Sequence, residues 1–287
     1  MPQRKKLLLL TTSTPAQVGD GFFIRRALPE RRFPSVSPFL MLDHAGPTSI
    51  APTDIPKGVD AHPHRGFETV SIVYQGALEH RDSAGNYGKL FAGDVQWMTA
   101  ASGIVHEEKH EKEFSRQGGT LEMIQLWVNL PAKDKMSAPK YQDIRAADIP
   151  VVTLPTGGGE VRVIAGEYAE MTGAARTFTP LSVLDVRMQA KGEFNLQLPA
   201  DTATVIYVLD GEFTFNETEN ATGGMTAFFH TDGTDIHLRA AVTGKLLILN
   251  GQPIDEPVVS YGPFVMNTQQ QIAEALQDYR AGKMGRL

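Results

Sequence analysis

The segment His62-Pro63-His64-Arg65-Gly66-Phe67-Glu68 carries two imidazoles two residues apart. In an extended chain alternate residues point to the same face, so His62 and His64 converge. Pro63 favours that conformation by fixing its own φ and restricting its predecessor. Glu68 lies a further even step along and is a possible fourth ligand from the same strand. Forty-two residues after His64 comes His106, within Ser102-Gly103-Ile104-Val105-His106-Glu107-Glu108. There a second two-residue step aligns His106 with Glu108. If the two strands lie opposite, three imidazoles and one carboxylate surround a point. Such an N3O set suits Fe(II), Mn(II), Co(II), Ni(II) or Cu(II). Filling four positions of an octahedron leaves two open, enough for a substrate and O2 together, whereas a structural zinc site is closed by its four ligands. His-x-His alone occurs on many surface strands; the added His-x-Glu is what points to a metal. His44, His80, His110 and His230 lack a comparable partner spacing and are expected to be structural or exposed.

The elements that must position these groups are strands. Residues 69–74, 120–127, 160–164, 181–188, 203–209, 212–215 and 245–249 are short, rich in branched or aromatic side chains, and punctuated by Gly, Pro, Asn or Asp. Asp210-Gly211 reads as the type I′ turn of a hairpin over residues 205–215, and Gly76 as the turn of a weaker one over residues 72–80. Setting Gly76 on Gly211 gives an offset of 135 residues, which predicts two copies of one all-β unit, sandwich or barrel. Residues 131–159, with four prolines and Gly157-Gly158-Gly159, are expected to connect them. The division expected is therefore a metal-binding domain over 1–131 and a second domain over 132–287. One helix is predicted, opened by a capping box at Thr268-Gln269-Gln270-Gln271, with Ile272, Leu276 and Tyr279 on one face and Gly282 as its stop.

Composition narrows the chemistry. The 287 residues contain no cysteine, which excludes disulfides, thiolate metal sites, iron–sulfur clusters and a cysteine nucleophile. The net charge is −6, but residues 1–32 hold seven basic groups (Arg4, Lys5, Lys6, Arg25, Arg26, Arg31, Arg32) against Asp20 and Glu30. The remaining 20 basic and 31 acidic groups argue against nucleic acid, and the basic arm is expected to be a solvated leading segment or a contact for an anionic partner. Leu7 to Leu10 after Lys5-Lys6 are too few for a signal peptide, and no apolar run reaches the roughly 20 residues a bilayer needs. The expected location is the cytoplasm.

The run His62 to Val70, with Gly103-Ile104-Val105-His106-Glu107-Glu108, resembles the pirin family of two-domain cupins. The likeness continues in Phe39-Leu40-Met41-Leu42-Asp43-His44, in Leu126-Trp127-Val128-Asn129-Leu130-Pro131 and in Gly262-Pro263-Phe264-Val265-Met266-Asn267-Thr268, and is loose over 132–250. The resemblance implies a bicupin of two double-stranded β-helix barrels, with iron or another divalent metal (Mn, Co, Ni, Cu or Zn) in the first. It assigns the ligands to His62, His64, His106 and Glu108 and leaves Glu68 as a neighbour of the ligand set. It also implies opening of flavonols such as quercetin by 2,3-dioxygenation with loss of carbon monoxide. Glu108 would then both bind the metal and take the 3-hydroxyl proton. Phe67, Trp97 and Met98 are candidate walls for the aromatic substrate. Two rival roles remain: a redox-responsive regulator acting through protein partners, and an isomerase or hydrolase using the metal as Lewis acid. At the repeat offset His62 and His64 fall on Gln197 and Pro199, so the second barrel is expected to be metal-free and His237 a satisfied polar group.

Overall fold

The computed structural model describes residues 3–20, 22–29 and 36–287. Its contacts divide into two compact units. The first contains Pro15–Arg26, Phe39–Ala146 and Ile254–Leu287. Its larger sheet has the order β12 (Lys140–Ile144), β9 (Val95–Thr99), β6 (Phe67–Gln75), β11 (Gly119–Asn129), β4 (Phe39–Ile50), β3 (Phe22–Leu28), β2 (Thr14–Val18). Its smaller sheet runs β5 (Gly58–His64), β10 (Ile104–His110), β7 (Ala77–Asp82), β8 (Tyr87–Phe91). A short helix, α1 (Lys112–Gln117), precedes β11, and the C-terminal segment adds the pair β25 (Val259–Tyr261) and β26 (Phe264–Met266), then helix α2 (Gln269–Arg280).

The second unit comprises the described parts of 1–14 and 27–38 together with Ala147–Pro253. Its larger sheet is β1 (Leu7–Thr12), β22 (Met225–Phe229), β19 (Ala203–Asp210), β24 (Gly244–Gly251), β17 (Leu181–Met188), β14 (Gly159–Ala165), β13 (Val151–Thr153). Its smaller sheet is β18 (Glu193–Gln197), β23 (Asp235–Ala240), β20 (Glu212–Phe215), β21 (Glu219–Thr222). The orders β5-β10-β7-β8 and β18-β23-β20-β21 are the same pattern, as are β9-β6-β11-β4 and β22-β19-β24-β17. The protein is therefore all-β, two cupin barrels with few helices, and the predicted repeat is a repeat of topology.

Three expectations change. Gly76 and Gly211 do not turn hairpins: β6 and β7 lie in different sheets, as do β19 and β20. At each, a positive φ (82° and 90°) swings the chain from one sheet of its barrel to the other. The break at 131/132 is not where the contacts divide. Leu7–Thr12 pairs with Met225–Phe229 in the second unit, whereas α2 and β26 pack with Val105 in the first. Residues 131–159 are more than a connection, since they give an edge strand to each large sheet. The helix forms as expected: Thr268 accepts from the Gln271 backbone, Gln271 reaches back, and Gly282 follows at φ 73°. No helix among the described residues is long and apolar enough to cross a membrane.

Candidate metal centre

Strands β5 and β10 pair antiparallel, with His62 opposite His106 and His64 opposite Ile104. The two-residue step therefore brings His62 and His64 to the inner face beside His106. His62 Nε2 lies 3.0 Å from His64 Nε2 and 2.9 Å from His106 Nε2. Each Nδ1 faces an acceptor: the Asp60 carbonyl at 2.8 Å for His62, the Pro263 carbonyl at 3.4 Å for His64, and His80 Nδ1 at 3.4 Å for His106. Protons on Nδ1 leave three Nε2 lone pairs aimed at one another, which repel unless a cation lies among them. Donors at about 2.1 Å from one ion stand about 3.0 Å apart at octahedral angles and about 3.4 Å apart at tetrahedral ones, and the two spacings from His62 match the octahedral value. Burial, with the neighbouring imidazoles adding to it, holds His64 and His106 well below the usual histidine range, in the neutral form a metal requires. Among the described residues this trio is the one group of three or more His, Asp or Glu side chains able to share an ion.

Glu108 faces inward on the same strand as His106 and is buried, but it stands outside that trio. Its Oε1 accepts the Ser71 hydroxyl at 2.8 Å. The same hydroxyl lies 3.0 Å from Gln125 Oε1, and its single proton can serve only one of the two acceptors at a time. Glu68 is not beside the ligands. Arg65-Gly66 ends β5, and Gly66 turns the chain at φ 89° so tightly that a Cβ would meet the Val265 carbonyl oxygen at 2.0 Å. In β6 the alternation then sends Phe67, Thr69 and Ser71 inward and Glu68 to the opposite face, where Thr99 donates to it at 2.7 Å. Burial lifts the Glu68 carboxyl to about 7 against that hydrogen bond.

The wall residues divide. Phe67 lies on the inner face, its ring 5.0 Å from that of His64 and 4.3 Å from that of Trp127. Met98 pairs with Thr69 and Tyr141 and shares that face. Trp97 pairs with Val70, on the face of Glu68, and is not a wall of the histidine site.

His80, expected to be structural or exposed, stands against His106, with Gln96, Asp82 and Tyr141 around it. The step His80-x-Asp82 is the same two-residue signal that marked the ligands, and it was readable. The other three fit expectation. His44 contacts Arg25 and Glu122, His110 is buried against Phe22 and Phe114, and His230 is exposed.

The second barrel has an apolar interior at the matching positions. Counted from Gly76 and Gly211 through the strand pairings, His62, His106 and Glu108 correspond to Leu196, Ile236 and Leu238, all core residues. His237 lies between the last two on the outer face, 3.2 Å from Glu217. The basic arm is largely engaged within the fold. Lys5 is buried and donates to two carbonyls, Arg25 donates to His44 and Gly46, and Arg26 grips Asp43. Arg31, Arg32 and Glu30 lie outside the described residues.

A double-stranded β-helix holding three convergent imidazoles defines a cupin with a histidine cluster able to hold a metal ion. Residues 21–128 match the sequence model of the family Pirin, and residues 183–285 match that of the Pirin C-terminal cupin domain. The chain belongs to the pirin family. A Pseudomonas aeruginosa protein is 48% identical over 267 residues, covering 93% of each chain. Mouse pirin is 33% identical over 290 residues, covering 99% of this chain and 96% of the relative. The crystal structure of a quercetin 2,3-dioxygenase from Acinetobacter baumannii superposes with a TM-score of 0.95 at 46% identity, covering 98% of both chains.

Proposed function

We propose that this chain is a metal-dependent, cytoplasmic dioxygenase that opens flavonols such as quercetin by 2,3-dioxygenation, releasing carbon monoxide. The observation that supports this is the convergence of His62, His64 and His106 Nε2 atoms with spacings of 2.9 and 3.0 Å, with Glu108 two residues from His106 on the same strand. When bound, a divalent metal, Fe(II) first and Mn, Co, Ni, Cu or Zn by the same donors, supplies a Lewis-acidic, redox-capable centre that favours a flavonol as its 3-oxyanion. The three histidines would hold it. Glu108, which accepts from Ser71, would take the 3-hydroxyl proton and complete the donor set. Ser71 steadies the Glu108 side chain by donating to its Oε1. Phe67 and Met98 line the aromatic substrate's approach, and the second barrel is a metal-free copy. The substrate class follows the quercetin 2,3-dioxygenase that shares 46% of its sequence with this chain. Of the basic segment 25–32, the described Arg25 and Arg26 are engaged with Gly46 and Asp43, which weakens their claim as a docking surface for the regulator reading.

The test is incubation of metal-loaded protein with quercetin, with and without oxygen. Carbon monoxide release that requires O2 and is lost in Glu108→Gln is the expected result. Turnover indifferent to oxygen points instead to a Lewis-acid isomerase or hydrolase, and metal-loaded protein that leaves quercetin intact refutes the proposal.

A further inference from the structure

The interior of the first barrel buries a fourth imidazole that the donor set does not need. His80 on β7 is fully enclosed, opposite Glu108 in the β10 register. Its Nε2 lies 3.4 Å from Asp82 Oδ2. Asp82 is itself fixed by the backbone amides of Ala84 (2.9 Å) and Asn86 (3.0 Å) and by the Asn86 side-chain amide (2.8 Å). An ionised carboxylate only accepts, so His80 Nε2 carries the proton and Nδ1 presents its lone pair. Gln96 Nε2 at 3.1 Å and His106 Nδ1 at 3.4 Å both point towards that one lone pair and share it. The Tyr141 ring stacks on His80 at 5.1 Å and 25°, and the space it enters exists because residue 88 is glycine: a Cβ there would stand 2.0 Å from the Tyr141 hydroxyl. The His80 ring is thus held at its edge and on its face.

Burying an imidazole, a carboxylate and an amide where an apolar filling is available costs desolvation. The second barrel shows that the fold does not demand it. Counted from the same glycines and pairings, His80 corresponds to Phe215, Gln96 to Ala227 and Ser71 to Ile206, all core residues. The buried imidazole and amide are replaced together with His62 and His106, in the same chain and on the same topology, while Asp82 corresponds to the exposed Glu217.

We propose that His80, held by Asp82 and Gln96, is the positioning residue that fixes His106 as an Nε2 donor: by accepting the His106 Nδ1 proton it sets the tautomer, aims the ring and strengthens the donor. The inference rests on the three-histidine centre binding a metal. Partners of this kind change metal affinity by about 10–100-fold.

The experiment titrates the full-length apo-protein with Co(II), reading affinity and the visible absorption of the bound ion. His80→Leu removes the acceptor, and its affinity is expected to fall by about 10–100-fold with a shifted spectrum. His80→Asn places an amide oxygen near the lost Nδ1 and is expected to recover most of that affinity. Asp82→Asn keeps the shape but can donate to His80 Nε2, forcing its proton onto Nδ1 against His106, so Co(II) binding is expected to weaken in a folded protein even if His80→Leu does not fold. Wild-type affinity and spectrum in His80→Leu or in Asp82→Asn overturn the proposal, as does equal loss in folded His80→Leu and His80→Asn. A wild-type protein that takes up no Co(II) removes the metal centre itself, a failure distinct from the others.

Discussion

Glu68→Gln separates two ways of using a carboxylate in the His62–Glu68 segment. The structure sets Glu68 on the face opposite the histidines, fully buried, with the Thr99 hydroxyl on Oε1. Burial outweighs that hydrogen bond and lifts its carboxyl from the ordinary 4.5 to about 7. The folded protein therefore holds a proton that the unfolded chain releases. The stability this contributes is fully present below pH 4.5 and is lost as pH rises to about 7, and its total is about 3 kcal/mol. Gln keeps the acceptor for Thr99 and cannot ionise. Thermal unfolding of both proteins from pH 4 to 9, with parallel metal analysis, provides the assay. The wild type should lose stability across that window relative to Glu68→Gln, the variant should be the more stable above pH 7, and both should bind metal equally. Loss of metal in Glu68→Gln would make Glu68 a ligand after all. Parallel pH curves would refute the buried, proton-holding carboxyl.

Two further outcomes follow from the same geometry. Asp278 on α2 accepts from Arg65 at 3.0 Å, and Arg65 also donates to the Ser102 carbonyl, so the C-terminal segment ties the turn next to His64. Asp278→Ala leaves the buried Arg65 without its carboxylate partner and should lower the melting temperature of the holoprotein, and an unchanged value would show that this tie is idle. Because burial depresses His64 and His106, the unfolded chain takes up protons that the native apo-protein refuses. Apo-protein stability should thus be complete above pH 6.5 and fall as pH drops below it, and Leu in place of both histidines should flatten that fall; a native apo-protein indifferent to pH between 6.5 and 5 would contradict the assignment.

The histidine trio was legible because its signal is local. A strand period of two, a proline holding the chain extended and a second two-residue step suffice to aim His62, His64 and His106. The same rule misplaced Glu68, since counting evenly through Arg65-Gly66 assumes that the strand runs on, and a glycine at φ 89° ends it. It also could not place Trp97. Every residue of Val95–Thr99 is buried, so both faces of that strand read as apolar and alternation does not tell inner from outer. Asp210-Gly211 marks the end of a strand, but which strand then pairs with which depends on contacts distant in sequence, and here the chain changes sheets instead of closing a hairpin. His80 carried a readable partner in Asp82; its role emerged only from the β7–β10 pairing that sets it against His106.

Metal analysis of freshly purified wild-type protein beside His62→Ala, His106→Ala and His237→Ala tests the centre most directly. A divalent transition metal, bound one per chain in the wild type and in His237→Ala and absent from the other two, is the predicted result. A stoichiometric ion retained by His62→Ala or His106→Ala would contradict it.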